Sequence, residues 1–128
     1  MQSIVNDQHL KFKMKDIAEK YFRLFSEKDL EGLDELFDAN ATLRDWEIEA
    51  IGKANVFIAM KEIFDSVESI NVQPVNMGSW RYTQETGKPM TVVAELDIVT
   101  NGLERLAVVD IIDFTDEGKI LSIRAFKG

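Results

Sequence analysis

The chain has no cysteine, a single histidine (His9) and two prolines among its 128 residues. Without cysteine there are no disulfides, thiolate nucleophiles or zinc clusters, and the lone histidine, read as a surface residue ahead of the first helix, leaves no serine–histidine machinery. Any catalysis falls to carboxylates, tyrosine or lysine, and neither a metal nor another cofactor is expected. Long apolar runs are also missing. None approaches the length that spans a bilayer, and Met1 to Lys15 mixes charge with scattered apolar residues where a signal peptide needs a continuous apolar stretch. A cytoplasmic protein with no membrane partner is expected. Positive charge is scarce, at 15 lysines and arginines against 23 aspartates and glutamates, so the net charge of -8 repels phosphate backbones and argues against a nucleic-acid partner.

A hydrophobic content of 45% over this length suits one domain, residues 1–128, with a sizeable core. The first twelve residues are expected to be flexible or loosely attached. From Met14 the apolar residues Met14, Ile17, Ala18, Tyr21, Phe22 and Phe25 recur on one face of an amphipathic helix. Asp29 can cap a short second helix carrying Leu30, Leu33, Leu36 and Phe37. Ala41 to Trp46 reads as an extended segment. After Gly52 a third helix places Val56, Met60, Ile63, Phe64 and Val67 on one side.

From Ile70 the period changes to that of strands, expected at 70–83, 90–100, 103–115 and 119–127 and separated by turn residues. The fold class is therefore α+β: three N-terminal helices packed on a curved, mostly antiparallel sheet, forming a cone with an internal pocket. Strand 103–115 is apolar on both faces, so the outer face needs a cover. A homodimer through that face is the simplest one.

Three polar residues interrupt apolar patterns. Tyr21 lies on the buried face of the first helix, where a core tyrosine with a satisfied hydroxyl is the plainer reading. Asp45 shares a face with Ala41 and Leu43, while Arg44 and Trp46 turn the other way; the alternative is a turn aspartate in water. Asp110 sits among Leu106, Val108, Ile112 and Phe114, where an ionised carboxylate loses several kcal/mol of hydration unless it is paired. Either Arg105 or Arg124 pairs with it, or its pKa rises until it is neutral.

The spacing of these groups resembles the ketosteroid isomerases, within the group that also holds SnoaL-like polyketide cyclases and nuclear-transport-factor-like domains. The resemblance runs from Met14 to the C-terminus. It rests on Tyr21, Asp29-Leu30, Ala41-Thr42-Leu43-Arg44-Asp45, Asp110, Gly118-Lys119 and Ser122-Ile123-Arg124-Ala125. It implies that Asp45 is a general base and that Tyr21 and a protonated Asp110 hydrogen-bond an enolate oxygen, in the manner for which ketosteroid isomerase is itself the model case. Met60 stands where the family places a supporting tyrosine, and Lys127 where a pocket aromatic is usual.

The expected activity is cofactor-free proton transfer next to the carbonyl of a small apolar molecule. Cyclisation of a polyketide type is an alternative, as is a non-catalytic binding or dimerisation module. Phe25, Phe37, Met60, Phe64, Trp80, Leu96, Val108 and Ile112 are expected to line the substrate pocket. The pocket depends on strand register. A two-residue turn at Asn101-Gly102 sets Val93, Glu95 and Asp97 beside Asp110, Val108 and Leu106, whereas a three-residue turn or bulge brings Ala94, Leu96 and Ile98 there instead.

Overall fold

The computed structural model describes residues 4–80 and 90–128, with side chains from Lys13 onward and Trp80 by its backbone alone. Helix α1 spans Ile4–Ser26, α2 Leu30–Asp34 and α3 Lys53–Ser66. The strands are β1 (Phe37–Arg44), β2 (Glu49–Ile51), β3 (Ile70–Trp80), β4 (Met90–Thr100), β5 (Glu104–Phe114) and β6 (Ile120–Lys127). They form one sheet in the order β2-β1-β6-β5-β4-β3. All neighbours are antiparallel except β1 and β6, which run parallel.

The amphipathic face of α1 buries Met14, Ala18, Tyr21 and Phe22 against the sheet, and α3 adds Val56, Ala59, Met60 and Phe64. Opposite them stand Val92, Ala94, Leu96, Val108, Ile112 and Ile123, all buried on the inner face. The helices cover one face of the curved sheet, the α+β arrangement expected from the pattern.

Several boundaries differ from expectation. Helix α1 begins at Ile4, so His9 lies within the helix and not ahead of it; once a helix is nucleated, residues of ordinary propensity extend it at little cost. The second helix ends at Asp34, and Leu36 and Phe37 leave it. Phe37 opens β1 because it pairs with Ile120, while Leu36 accepts the Ile120 N–H at 2.8 Å. Tertiary pairing outweighs a weak helical pattern there. As expected, Asp29 caps α2, its Oδ1 accepting the Gly32 N–H at 2.9 Å. Residues 81–83 of the strand expected at 70–83 lie outside the described residues.

Both edges of the sheet are protected. At one end β2 is only three residues long. At the other, β3 carries Pro74 and a register shift between Pro74 and Asn76, and its Val72 N–H donates to Ser26 Oγ of α1 at 2.9 Å. Proline, bulges and short strands all blunt an edge against further pairing. Lys28, at φ 55°, ties the α1–α2 turn to the end of α3: its ammonium donates to the carbonyls of Phe64 at 2.8 Å and Val67 at 2.6 Å. Those carbonyls belong to the last turn and exit of α3, where a cation offsets the helix dipole.

The β4–β5 hairpin decides which residues face inward. Thr100 pairs with Glu104, leaving Asn101, Gly102 and Leu103 as a three-residue loop. Asn101 and Gly102 take positive φ values of 54° and 70°, and Asn101 Oδ1 accepts the Glu68 N–H at 2.7 Å. Ala94, Leu96 and Ile98 consequently stand opposite Asp110, Val108 and Leu106. Val93, Glu95 and Asp97 go to the outer face.

Candidate active site

Between the helices and the inner sheet face lies a cavity of about 250 Å³. Tyr21 and Phe25 enter it from α1, Ile63 from α3, Leu96 and Ile98 from β4, Leu106, Val108 and Asp110 from β5, and Ile123 and Ala125 from β6. The segment after β1 completes the wall with Asp45, Trp46, Glu47 and Ile48. A larger groove of about 1020 Å³ between α1 and β3 is open to solvent and holds a mixed-charge surface with Asp16, Glu19, Lys20 and Arg23. The smaller cavity is the enclosed one that gathers titratable groups within apolar walls, as a small-molecule site does.

Asp110 is 6% exposed and makes no hydrogen bond among the described residues. Burial pushes its pKa up to about 7, and the neighbouring charge of Asp45 adds to the shift. Neither arginine that might have neutralised it does so. Arg105 pairs with Asp97 at 2.7 Å and Arg124 with Asp113 at 3.8 Å, both on the outer face. A carboxyl with no cation and little water keeps its proton.

Asp45 follows the last residue of β1 and is half-buried. Its Oδ1 accepts the backbone N–H groups of Glu47 at 2.7 Å and Ile48 at 2.6 Å, and its own N–H donates to the Ile48 carbonyl at 2.9 Å. This is an Asx-type turn. Oδ2 takes no hydrogen bond among the described residues. The turn fixes the carboxylate at the cavity wall.

Tyr21 is 5% exposed and its ring touches Phe22, Phe25 and Phe37 at centroid separations of 5.4, 5.7 and 5.9 Å. Burial and the nearby Asp110 hold its hydroxyl pKa well above the usual value of 10.0, so it is a proton donor in hydrogen bonds and never an anion near neutrality. The structure thus brings Tyr21, Asp45 and Asp110 to one cavity. Among the described residues no group of three or more His, Cys, Asp or Glu side chains is placed to hold a metal ion.

The expected lining is met in part. Phe25, Leu96 and Val108 face the cavity. Phe37, Met60, Phe64 and Ile112 do not: they are buried behind it, with Phe64 edge-on to Phe25 at 4.7 Å and Phe37 edge-on to Phe57 at 5.3 Å. These large side chains fill the helix–sheet interface and leave no free surface for a ligand. The side chain of Trp80 lies outside the described residues. Trp46 runs against expectation, since it lines the cavity mouth. Strict alternation fails there because the strand ends at Arg44 and the chain turns. Ile63, Ile123 and Ala125 were not anticipated in the lining, whereas Ile98 and Leu106 share the strand faces of Leu96 and Val108.

In its overall shape the chain is similar to a protein assigned as a dehydratase of the NTF2-like family from Streptomyces avermitilis, at 15% identity and a TM-score of 0.78, covering 94% of this chain and 97% of that one. It is similar to a protein assigned as a ketosteroid isomerase from Kribbella flavida, at 13% identity and a TM-score of 0.75, over 92% of this chain and 79% of the other. Identity is higher, 28%, with SalBIII, an epoxide hydrolase/cyclase-like enzyme with a role in pyran ring formation in the polyether salinomycin, at a TM-score of 0.72 and 91% coverage of both chains. No protein of curated function matches the chain in sequence. The SnoaL-like domain model matches residues 18–123, which takes in Tyr21, Asp45 and Asp110 together, and the chain belongs to the SnoaL-like family.

Proposed function

We propose that the chain is a cofactor-independent acid–base enzyme acting next to a carbonyl of a small apolar molecule. The observation that carries this reading is Asp110, a buried carboxyl that meets no cation or hydrogen-bond partner among the described residues, with a pKa of about 7, facing the charge of Asp45 in an apolar cavity. A carboxyl that burial keeps protonated supplies the acid of such a pair, and the second carboxyl at the cavity wall is the candidate base.

In this mechanism the ionised Asp45 takes a proton from the carbon beside the carbonyl, and Oδ2 is the oxygen available for it. Negative charge develops on the carbonyl oxygen. The Tyr21 hydroxyl and the protonated Asp110 donate hydrogen bonds to that oxygen, and apolar walls strengthen both interactions by excluding water. Asp45 then returns the proton to another carbon and the product is an isomer. The turn that holds Oδ1 keeps Asp45 in place between the two transfers.

Ring closure is a second reading, favoured by the 28% identity with the cyclase-like SalBIII. Asp45 would remove the proton of an attacking hydroxyl while neutral Asp110 protonates the departing or accepting oxygen. The same groups serve both reactions, and the substrate chooses.

The test is proton exchange. Small enolisable ketones and hydroxy-enones are incubated with the protein in deuterated water and followed by NMR. Asp45→Asn keeps the Oδ1 turn contacts but removes the base, so exchange or cyclisation should fall by about 10³-fold while binding of phenols, which mimic the enolate, persists. An Asp45→Asn variant with undiminished turnover would overturn the assignment.

The outer sheet face supports a homodimer. Val93, Val109 and Ile111 are half-buried there and Phe126 is 53% exposed, an apolar strip that none of the three helices covers. Sedimentation of the purified protein tests it, with Phe126→Glu expected to give monomer.

A further inference from the structure

The charged groups lining the cavity, Asp45, Glu47 and Asp110, are all acidic, yet a cation reaches its mouth. Lys127 pairs with Val108 across β5 and β6 and follows Ala125 by two residues. Both of those line the cavity, so the Lys127 side chain leaves β6 on the same face. The Gly128 N–H donates to the Ala107 carbonyl at 2.8 Å, which holds this last stretch of the chain to β5. The Lys127 ammonium lies 5.4 Å from the centre of the Trp46 ring. Trp46, 41% exposed, is itself part of the cavity wall. A second recess, formed by Asp45, Trp46, Ala125 and Lys127 with their neighbours, adjoins the cavity at this point.

The depth of the site runs toward these residues. Asp110 and Val108 are 6% and 3% exposed, and the wall becomes half-buried at Leu106, Ile98 and Thr100. A volume of about 250 Å³ lies below the usual range of small-molecule sites, about 300–1000 Å³. A ligand with its carbonyl at Asp110 and Tyr21 therefore extends its far end toward the rim. Two strand residues separate the level of Asp110 from that of Lys127, roughly 7 Å, before the reach of the lysine is added.

We infer that Trp46 and Lys127 form a rim subsite for a single negative charge, so that the substrate is an apolar carbonyl compound bearing a carboxylate at the end remote from the reacting carbonyl. The inference rests on the acid–base reading of the cavity and adds to it the substrate class. The ammonium pairs with the carboxylate, and the indole covers the hydrocarbon between the two ends. The contact of Lys127 with Trp46 is of a weak, exposed kind, readily exchanged for a carboxylate. A cation at this point also offsets the repulsion that Asp45 and Glu47 exert on an entering anion. Arg44 and Arg124 also line the adjoining recess, but they face Glu49 at 3.9 Å and Asp113 at 3.8 Å, so among the described residues Lys127 is the cation left for a ligand. One ammonium suits one charge, whereas a phosphate is ordinarily met by several donors or a guanidinium fork.

Two phenols of matched size provide the test: para-propylphenol, and para-hydroxyphenylpropanoate, which adds the carboxylate. Both are titrated calorimetrically at slightly acidic pH into wild type, Lys127→Met and Lys127→Arg. The carboxylate should bind wild type about three- to fivefold more tightly than the neutral phenol. That advantage should vanish in Lys127→Met, persist in Lys127→Arg, and shrink in wild type as salt is raised. Equal binding of the two phenols by wild type, or an advantage that survives Lys127→Met, overturns the rim subsite and leaves the acid–base site standing. If neither phenol binds wild type, the acid–base reading fails and the subsite falls with it.

Discussion

Strand β5 carries two buried aspartates three residues apart, and the sheet separates them. Asp110 points inward, 6% exposed, without a hydrogen-bond partner among the described residues. Asp113 points outward and is 0% exposed, yet it accepts Thr91 Oγ1 at 2.6 Å and Ser122 Oγ at 2.8 Å and faces Arg124 at 3.8 Å. Burial alone does not mark a reactive group. Asp113 is held by neighbours on β4 and β6 and belongs to the framework. Asp110 has no such neighbours among the described residues, and its burial carries a cost that the framework does not offset.

The contrast breaks most sharply along pH. The pKa of Asp110 rises on folding from 3.8 to about 7, so the native state holds a proton that the unfolded state releases. The stability linked to this group is intact below pH 3.8 and is lost as pH rises to about 7. At about 1.4 kcal/mol per unit, the loss amounts to roughly 4 kcal/mol. Asp110→Asn, which does not titrate, should gain on wild type across that window and run parallel to it above. Urea denaturation at a series of pH values measures this. Turnover should fall as pH rises past about 7, when Asp110 ceases to be a donor.

Next in size is Asp113→Ala, which strands the Thr91, Ser122 and Arg124 groups and should destabilise by about 3 kcal/mol. A loss no larger than that of an ordinary surface change would mean that the outer cluster holds nothing together. The smallest effect compares two hydroxyls. Ser122→Ala removes a bond to Asp113 and should cost about 1 kcal/mol, while Tyr21→Phe removes a hydroxyl that makes no hydrogen bond among the described residues and should leave stability within about 0.5 kcal/mol. Tyr21→Phe should nevertheless slow turnover by about 10²-fold. A Tyr21→Phe variant that unfolds readily but turns over normally would reverse the assignment of Tyr21 from site to core.

Much of this was legible in the sequence, for identifiable reasons. The helical spacing of Met14, Ala18, Tyr21 and Phe22 and the alternation around Asp110 are strong local patterns, and both give the correct buried face. Where the chain changes direction the patterns stop. Leu36 and Phe37 fit a helix or a strand equally well until Ile120 supplies a partner. Trp46 reads as outward-facing until the Asp45 turn rotates it into the wall. Phe37, Met60, Phe64 and Ile112 are correctly apolar and buried, but sequence does not distinguish a residue that lines a hole from one that fills the space behind it. The outer cluster around Asp113 went unread because Thr91 comes from β4 and Ser122 and Arg124 from β6, far from Asp113 or across a turn in sequence.

The three-residue tip at Asn101, Gly102 and Leu103 has a consequence for how this chain tolerates change. Hairpin tips are ordinarily where insertions and deletions are absorbed, and Leu103, 86% exposed, looks expendable. Its side chain is; its place in the count is not. Losing one residue here would slide β4 against β5 and carry Glu95 and Asp97 into the cavity in place of Leu96 and Ile98. Substitutions at this tip should therefore be nearly silent, while a single codon deletion there should be as damaging as removing Asp45 itself.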